Sequence, residues 1–214
     1  MKLLPLLLLA YLIGSIPFGL WIGKIFFHKN LRECGSGNTG ATNTFRALGV
    51  KSGIIVLILD MLKGALATIL PLIFHIHEVN PLIFGACAVL GHTFPIFAHF
   101  KGGKAVATSG GLLLGYNPWL FIFVIVVFSL FLFLTSMVSF ASLGVSVSTV
   151  ILVLLSPMFH WFIVPNFDPL LDIIIIALAS FIWIRHHTNF KRIFNKTEST
   201  VPFGLGFFSK KREA

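Results

Sequence analysis

The chain has 214 residues, of which 57% are hydrophobic, 14% aromatic and only 11% charged, with a formal net charge of +9. A soluble domain carries about a quarter charged residues, so an ordinary water-borne globule is excluded and an all-α polytopic membrane bundle is indicated. Cys34 in a polar loop and Cys87 in an apolar run are the only cysteines, which excludes a disulfide-stapled scaffold; basic residues flanking apolar runs are what membrane topology demands, so no nucleic-acid partner is implied.

In chain order, Leu3 to Phe27 forms an apolar run of about 25 residues preceded only by Lys2 and lacking an A-x-A cleavage site. This predicts a retained transmembrane helix, with a kink near Pro17 inside Gly14-Ser15-Ile16-Pro17-Phe18-Gly19. The polar stretch His28 to Lys51 holds Lys29, Arg32, Arg46 and Lys51 against Glu33 alone. The positive-inside rule places it in the cytoplasm and the N-terminus outside. A second span, Ser52 to Phe74, leads to the short outer loop His75 to Asn80. A third, Pro81 to Phe100, returns the chain to Lys101 and Lys104.

The tail from about residue 185, with Arg185, Lys191, Arg192, Lys196, Lys210, Lys211 and Arg212, is cytoplasmic by the same rule. An even number of crossings must therefore separate Lys104 from Arg185. Three apolar blocks are obvious: Tyr116 to Leu134, Val138 to Val164 and Pro169 to Ile184. The weak segment Ala105 to Gly115 must cross too, or one block must be re-entrant. At ~1.5 Å per residue that segment reaches only ~17 Å, so it is expected to be a Gly-rich half-helix inside the bundle. About seven transmembrane helices in a single integral-membrane domain, 1–214, are expected, with no internal repeat.

Polar residues gather in three places, all on the cytoplasmic side. The first is Gly35-Ser36-Gly37-Asn38-Thr39-Gly40-Ala41-Thr42-Asn43-Thr44-Phe45-Arg46. Its glycines can present backbone N–H groups as a concave nest, and Ser36, Gly37, Asn38, Thr42 and Asn43 can face an anion. Arg46 can grip two phosphate oxygens. The letters also fit a dinucleotide fingerprint, but a membrane helix and not a strand precedes them, so that match is rejected. The plain alternative is a flexible polar loop.

The second cluster runs from Gly91-His92 to Phe100-Lys101-Gly102-Gly103-Lys104. Two lysines flank a glycine pair immediately before the short segment, so amides, a helix N-terminus and ammonium groups can converge on one anion. It is not a Walker A loop, since Ala98 stands where Gly is required and Ala105 where Ser or Thr would bind magnesium. The competing reading has Lys101 and Lys104 snorkelling to lipid headgroups. In the third cluster, Arg185-His186-His187-Thr188-Asn189-Phe190-Lys191-Arg192 followed by Glu198, His186 and Asn189 share a face if the last span continues as a helix. A basic stop-transfer segment looks similar, but does not account for the His and Asn.

Asp60 and Lys63 lie i,i+3 inside the second span and read as a neutralising ion pair with a structural role. The His75-Ile76-His77-Glu78 stretch is on the opposite side and is taken as structural. No metal site and no cofactor are expected.

Taken together, Ser36-Gly37-Asn38-Thr39-Gly40-Ala41-Thr42-Asn43 with Arg46, Gly91-His92 through Lys101-Gly102-Gly103-Lys104, and Arg185-His186-x-x-Asn189 with Glu198 resemble the three motifs of the bacterial acyl-phosphate:glycerol-3-phosphate acyltransferases, the PlsY family. Gly14 to Gly19 and Asp60-x-x-Lys63-Gly64 also fit. The resemblance implies a seven-helix enzyme of the bacterial inner membrane that moves an acyl group from acyl phosphate to the 1-hydroxyl of glycerol 3-phosphate, releasing lysophosphatidic acid and phosphate. It implies essential roles for Ser36, Arg46, His186 and Asn189, phosphate binding by Lys104, Gly102 and Gly103, and a structural role for Glu198. It also implies a soluble upstream enzyme that makes acyl phosphate. One departure is visible: Lys196 stands where the family commonly has Gly.

The chemistry suits that expectation. An acyl phosphate has a good leaving group, so charge neutralisation by Arg46 and Lys104 and orientation can suffice without a covalent intermediate. The proton acceptor is open between His186, a substrate phosphate oxygen and, as an acylated nucleophile instead, Ser36. The H-x4-D signature of thioester-dependent acyltransferases is absent, so acyl-CoA is not the expected donor. The rival classes are an organophosphate transporter, motivated by the intramembrane ion pair, and a lipid-binding structural protein. Against transport, the polar residues sit at one face and not at the midplane.

Overall fold

A computed structural model describes residues 3–159, 162–164 and 166–207, and every regular element among them is helical. Lys210, Lys211 and Arg212 lie outside the described residues. The chain divides into two compact units, Met1–Pro118 and Trp119–Ala214.

The first unit begins with α1 (Leu3–Ser15) and α2 (Phe18–Phe27), which meet at 44°. The kink expected at Pro17 is thus a full break. Proline cannot donate to the helix ladder, and the carbonyl of Ile16 at the break is taken by Lys63 Nζ at 2.8 Å. A 3₁₀ turn, Leu31–Glu33, leads to α3 (Ala41–Leu48), followed by α4 (Val50–Ile73) and α5 (Pro81–Thr93). Asn80 caps α5 by accepting from the Leu82 N–H at 2.9 Å, with Pro81 in the first turn. A second 3₁₀ turn, Ile96–Ala98, precedes the short α6 (Val106–Tyr116).

Close backbone approach, not hydrophobic exclusion, holds such helices together in lipid. A Cβ on Gly14 would strike the Ala88 carbonyl and one on Gly91 the Tyr11 carbonyl, so α1 and α5 touch backbone to backbone. A Cβ on Gly64 would meet Thr108 O and one on Gly111 would meet Met61 O, which fixes the half-helix α6 against α4.

The second unit holds α7 (Pro118–Thr135), α8 (Val138–Phe159), α9 (Pro169–Arg185) and α10 (His187–Phe194). Asp168 caps α9 by accepting from the Leu170 and Leu171 N–H groups at 3.1 and 3.2 Å. Of α7 only Leu120 is buried, so most of its surface faces outward. The left-handed Ser136 (φ 57°) turns α7 into α8 and also anchors the C-terminal segment. Its hydroxyl donates to Phe203 O at 2.6 Å and its carbonyl accepts from Val201 N–H at 2.8 Å.

Among the described residues, four helical stretches are long and apolar enough to cross a membrane: α4, α7, α8 and Pro81–Ala98. The bent pairs α1 with α2 and α9 with α10 qualify if each is one span, and α6 is the expected short apolar helix. The all-α membrane bundle is therefore as expected, with three local differences. Residues 41–48, expected as loop, form α3, whose apolar Phe45 and Leu48 fall one turn apart on one face. The third span ends as an α-helix at Thr93 and not Phe100, because Pro95 stops it. The last span does not run straight into the tail: it breaks at His186, and α10 departs at 60°.

Candidate active site

The first cluster is built around Asn43, which is 1% exposed. Its Oδ1 accepts from the Ser36 N–H at 2.9 Å, while its Nδ2 donates to Leu31 O at 3.1 Å and Cys34 O at 2.9 Å. One side chain thereby closes the loop that presents Ser36. Gly35 and Gly37 have φ of 57° and 70°, the left-handed backbone that favours glycine. Gly37 N–H donates to Cys34 O at 3.0 Å and Gly40 N–H to Asn38 Oδ1 at 2.9 Å. Much of the expected nest of amides is therefore consumed in shaping the loop, and Asn43, expected to touch substrate, is an internal staple. What remains outward is side chain: Ser36 and Arg46 are exposed, and among the described residues neither the Ser36 hydroxyl nor the Arg46 guanidinium has a hydrogen-bond or ion-pair partner. Thr42 is half-buried in the first turn of α3, and Asn38 is half-buried beside it.

Arg32 joins this loop to the next. Its guanidinium donates to Ala98 O and, at 3.0 Å, to Lys101 O. In the sequence Arg32 was one charge among several in a cytoplasmic loop, and nothing there distinguishes a tether from a topology signal.

The second loop turns through left-handed His99, Phe100 and Ala105 (φ 53°, 57° and 61°). Gly102 N–H donates to Thr93 O at 3.0 Å and Gly103 N–H to His92 O at 3.2 Å, which folds the glycine pair back onto the end of α5. Those two amides, expected to face an anion, face carbonyls instead. Lys101 is exposed, with no partner for its ammonium among the described residues, and half-buried Lys104 stands two residues before the start of α6. Beneath the loop, Lys63 Nζ lies 2.7 Å from Asp60 Oδ1, and His92 Nδ1 faces the same oxygen at 3.5 Å. The expected ion pair is present, and His92 is its unforeseen third member.

In the second unit, His186 forms the hinge between α9 and α10. Its Nδ1 is 2.8 Å from Ile182 O. A carbonyl only accepts, so Nδ1 carries a proton and donates it to that oxygen. Asn189 is buried and donates to Glu198 Oε1 at 2.8 Å; Ser139 donates to the same oxygen at 3.0 Å, and Arg192 Nε to Oε2 at 2.7 Å. Burial alone would push the Glu198 carboxyl up, but the bonds from Arg192, Asn189 and Ser139 outweigh it and hold the group below the ordinary value. Ser139, in an apolar helix, carried no sequence signal.

A Schellman turn delivers Glu198 to this position. Lys196 N–H donates to Ile193 O at 3.0 Å and Thr197 N–H to Arg192 O at 2.8 Å, with Lys196 left-handed at φ 58°. A side chain at that φ is strained, and glycine would relieve it.

A family model described as glycerol-3-phosphate acyltransferase matches residues 4–196. The chain belongs to the glycerol-3-phosphate acyltransferase family. It is 57% identical over 208 residues to a glycerol-3-phosphate acyltransferase of Lactococcus lactis subsp. cremoris (strain SK11), covering 97% of both chains. It is 60% identical over 200 residues to that of Streptococcus pneumoniae (strain Taiwan19F-14), covering 94% of this chain and 93% of the relative. Among solved structures, the glycerol 3-phosphate form of PlsY, an integral membrane glycerol 3-phosphate acyltransferase, superposes with a TM-score of 0.83 at 34% identity, covering 94% of this chain and 96% of that one. Its lysophosphatidic acid form gives a TM-score of 0.78 at the same identity, covering 94% and 95%. The chain is thus an integral-membrane acyltransferase of phospholipid synthesis, as its motifs led us to expect.

Proposed function

We propose that the enzyme transfers an acyl group from acyl phosphate to the 1-hydroxyl of glycerol 3-phosphate, giving lysophosphatidic acid and inorganic phosphate, and does not use acyl-CoA. The observation that carries this reading is the pair of tethered loops in the first unit, which present Ser36, Arg46 and Lys101 outward and hold Lys104 just before α6. Such a surface suits phosphate oxygens. The acidic side chain nearest in sequence, Glu33, accepts from Asn30 Nδ2, and among the described residues no group of His, Cys, Asp and Glu could hold a metal ion.

Arg46 and Lys104 offset phosphate charge, and Ser36 hydrogen-bonds a substrate oxygen without becoming acylated. Thr42, Asn38, Gly37 and Lys101 complete the binding surface, while Asn43, Gly102 and Gly103 shape it. His186 and Asn189 act in the same reaction, and Glu198 orients Asn189. The substrate hydroxyl attacks the acyl carbonyl carbon, the carbonyl–phosphate bond breaks, and the hydroxyl proton passes to His186 Nε2 or to a phosphate oxygen of the substrate. The whole chain, 1–214, works as one enzyme in the bacterial inner membrane, N-terminus outside and loops facing the cytoplasm, where a soluble acyltransferase supplies acyl phosphate.

The test is product formation by detergent-purified protein given glycerol 3-phosphate with either palmitoyl phosphate or palmitoyl-CoA. Lysophosphatidic acid from palmitoyl phosphate alone supports the assignment. Product from palmitoyl-CoA contradicts the donor, and product from neither in folded protein contradicts the reaction.

A further inference from the structure

We propose that His92 is a positioning residue for the Gly102-Gly103-Lys104 loop, transmitting the fixed position of a buried ion pair to the phosphate-binding turn. The inference rests on the reading above, in which that loop binds substrate phosphate.

His92 is buried at the end of α5 and contacts the loop twice. Its carbonyl accepts from the Gly103 N–H at 3.2 Å. Its ring occupies the space a side chain at position 103 would need, since a Cβ there would collide with His92 Nε2. The ring's opposite nitrogen, Nδ1, faces Asp60 Oδ1 at 3.5 Å. Asp60 is not free to move: the same oxygen is 2.7 Å from Lys63 Nζ, and Lys63 in turn donates to the Ile16 carbonyl at the α1–α2 break, 2.8 Å away, with the Phe18 ring 5.6 Å from its ammonium. A continuous line of contacts therefore runs from the Pro17 break through Lys63, Asp60 and His92 to the glycine pair.

This arrangement explains two features that charge neutralisation alone does not. An ion pair needs no third member, yet His92 is placed on the carboxylate and on the loop at once. Gly103 has no left-handed φ to require glycine, so its lack of a side chain is accounted for by the imidazole packed against it. A loop whose amides are spent on the carbonyls of His92 and Thr93 keeps its shape only as long as the end of α5 keeps its own. His92 is the side chain that fixes that end against α4.

The test is steady-state kinetics of the full-length protein in detergent, varying glycerol 3-phosphate and palmitoyl phosphate in turn, for wild type, Gly103→Ala, Lys104→Ala, His92→Ala and the Gly103→Ala/His92→Ala double variant, with thermal melting alongside. Gly103→Ala identifies the substrate held by the loop as the one whose KM rises. His92→Ala is expected to raise that same KM about tenfold, leaving kcat and the other KM within about twofold. The double variant should be better than Gly103→Ala alone, because removing the ring makes room for the new methyl. If Gly103→Ala raises KM but His92→Ala does not, or the double variant is no better than Gly103→Ala, the positioning role is overturned while the loop assignment stands. If His92→Ala lowers melting temperature and kcat and shifts both KM values together, the residue is only part of the core, and the proposal likewise falls. If neither Gly103→Ala nor Lys104→Ala alters any kinetic constant, the loop does not bind substrate and the reading beneath the proposal fails with it.

Discussion

Replacing Glu198 by Gln isolates the charge at the centre of the second unit's polar network. The carboxylate is 1% exposed and accepts three hydrogen bonds, from Asn189, Ser139 and Arg192. Gln keeps one oxygen, so Asn189 and Ser139 retain their acceptor, but its amide N–H then confronts the donor Arg192 Nε. A hydrogen bond to a charged group contributes about 1.5–3 kcal/mol. Because the Arg192 side chain is 38% exposed, solvent screening puts the loss at the low end, about 1.5–2 kcal/mol. For a chain of this size that is a fall in melting temperature of about 3–8 °C. The pH dependence has a definite sign. The folded carboxyl lies below its ordinary value of 4.5, so its contribution is fully present above about pH 4.5 and is lost as pH falls through the folded value. Scanning calorimetry of wild type and Glu198→Gln in one detergent, at one scan rate, from pH 7 down to 4 should therefore show a constant gap that narrows only at the acid end. Equal melting at pH 7, or a gap that widens on acidification, would refute the reasoning.

Other substitutions read other parts of the structure. Lys196→Gly should raise the melting temperature by a few degrees without altering turnover, because relief of a left-handed residue, about 1–2 kcal/mol, exceeds the entropy cost of glycine; a lower melting temperature would contradict the Schellman turn. Asp60→Asn strands the Lys63 ammonium in the core at a cost of about 3–5 kcal/mol, whereas Asp60→Asn with Lys63→Met should recover most of it, and equal loss in both proteins would rule out the ion pair as the cause. Asn43→Ala removes three hydrogen bonds that close the Ser36 loop, so turnover should fall at least about tenfold while melting changes by only a few degrees, since the loop can open locally. Wild-type turnover in that variant would show that the staple is dispensable.

The membrane helices were legible because apolar runs of such length have few other uses, and Pro17 marked its own break. The loops were legible as sites because Gly, Asn, Thr and Arg are conspicuous in so apolar a chain. What composition does not encode is direction. Asn43 was visible as a donor, but only the fold turns its amide inward onto Leu31, Cys34 and Ser36, and only the fold returns the Gly102 and Gly103 amides to the carbonyls of Thr93 and His92. Arg32 and Ser139 act through contacts 69 and 59 residues away in sequence, beyond the reach of local pattern. The helix α3 was missed because eight residues hold barely two turns, too few for periodicity to separate from a polar loop.

The most direct measurement is phosphate release from palmitoyl phosphate by the purified enzyme, followed through the first turnovers with and without glycerol 3-phosphate. Direct acyl transfer predicts that phosphate appears only when glycerol 3-phosphate is present, in amounts equal to the lysophosphatidic acid formed. A burst of phosphate without the acceptor, with palmitate left on Ser36, would contradict it.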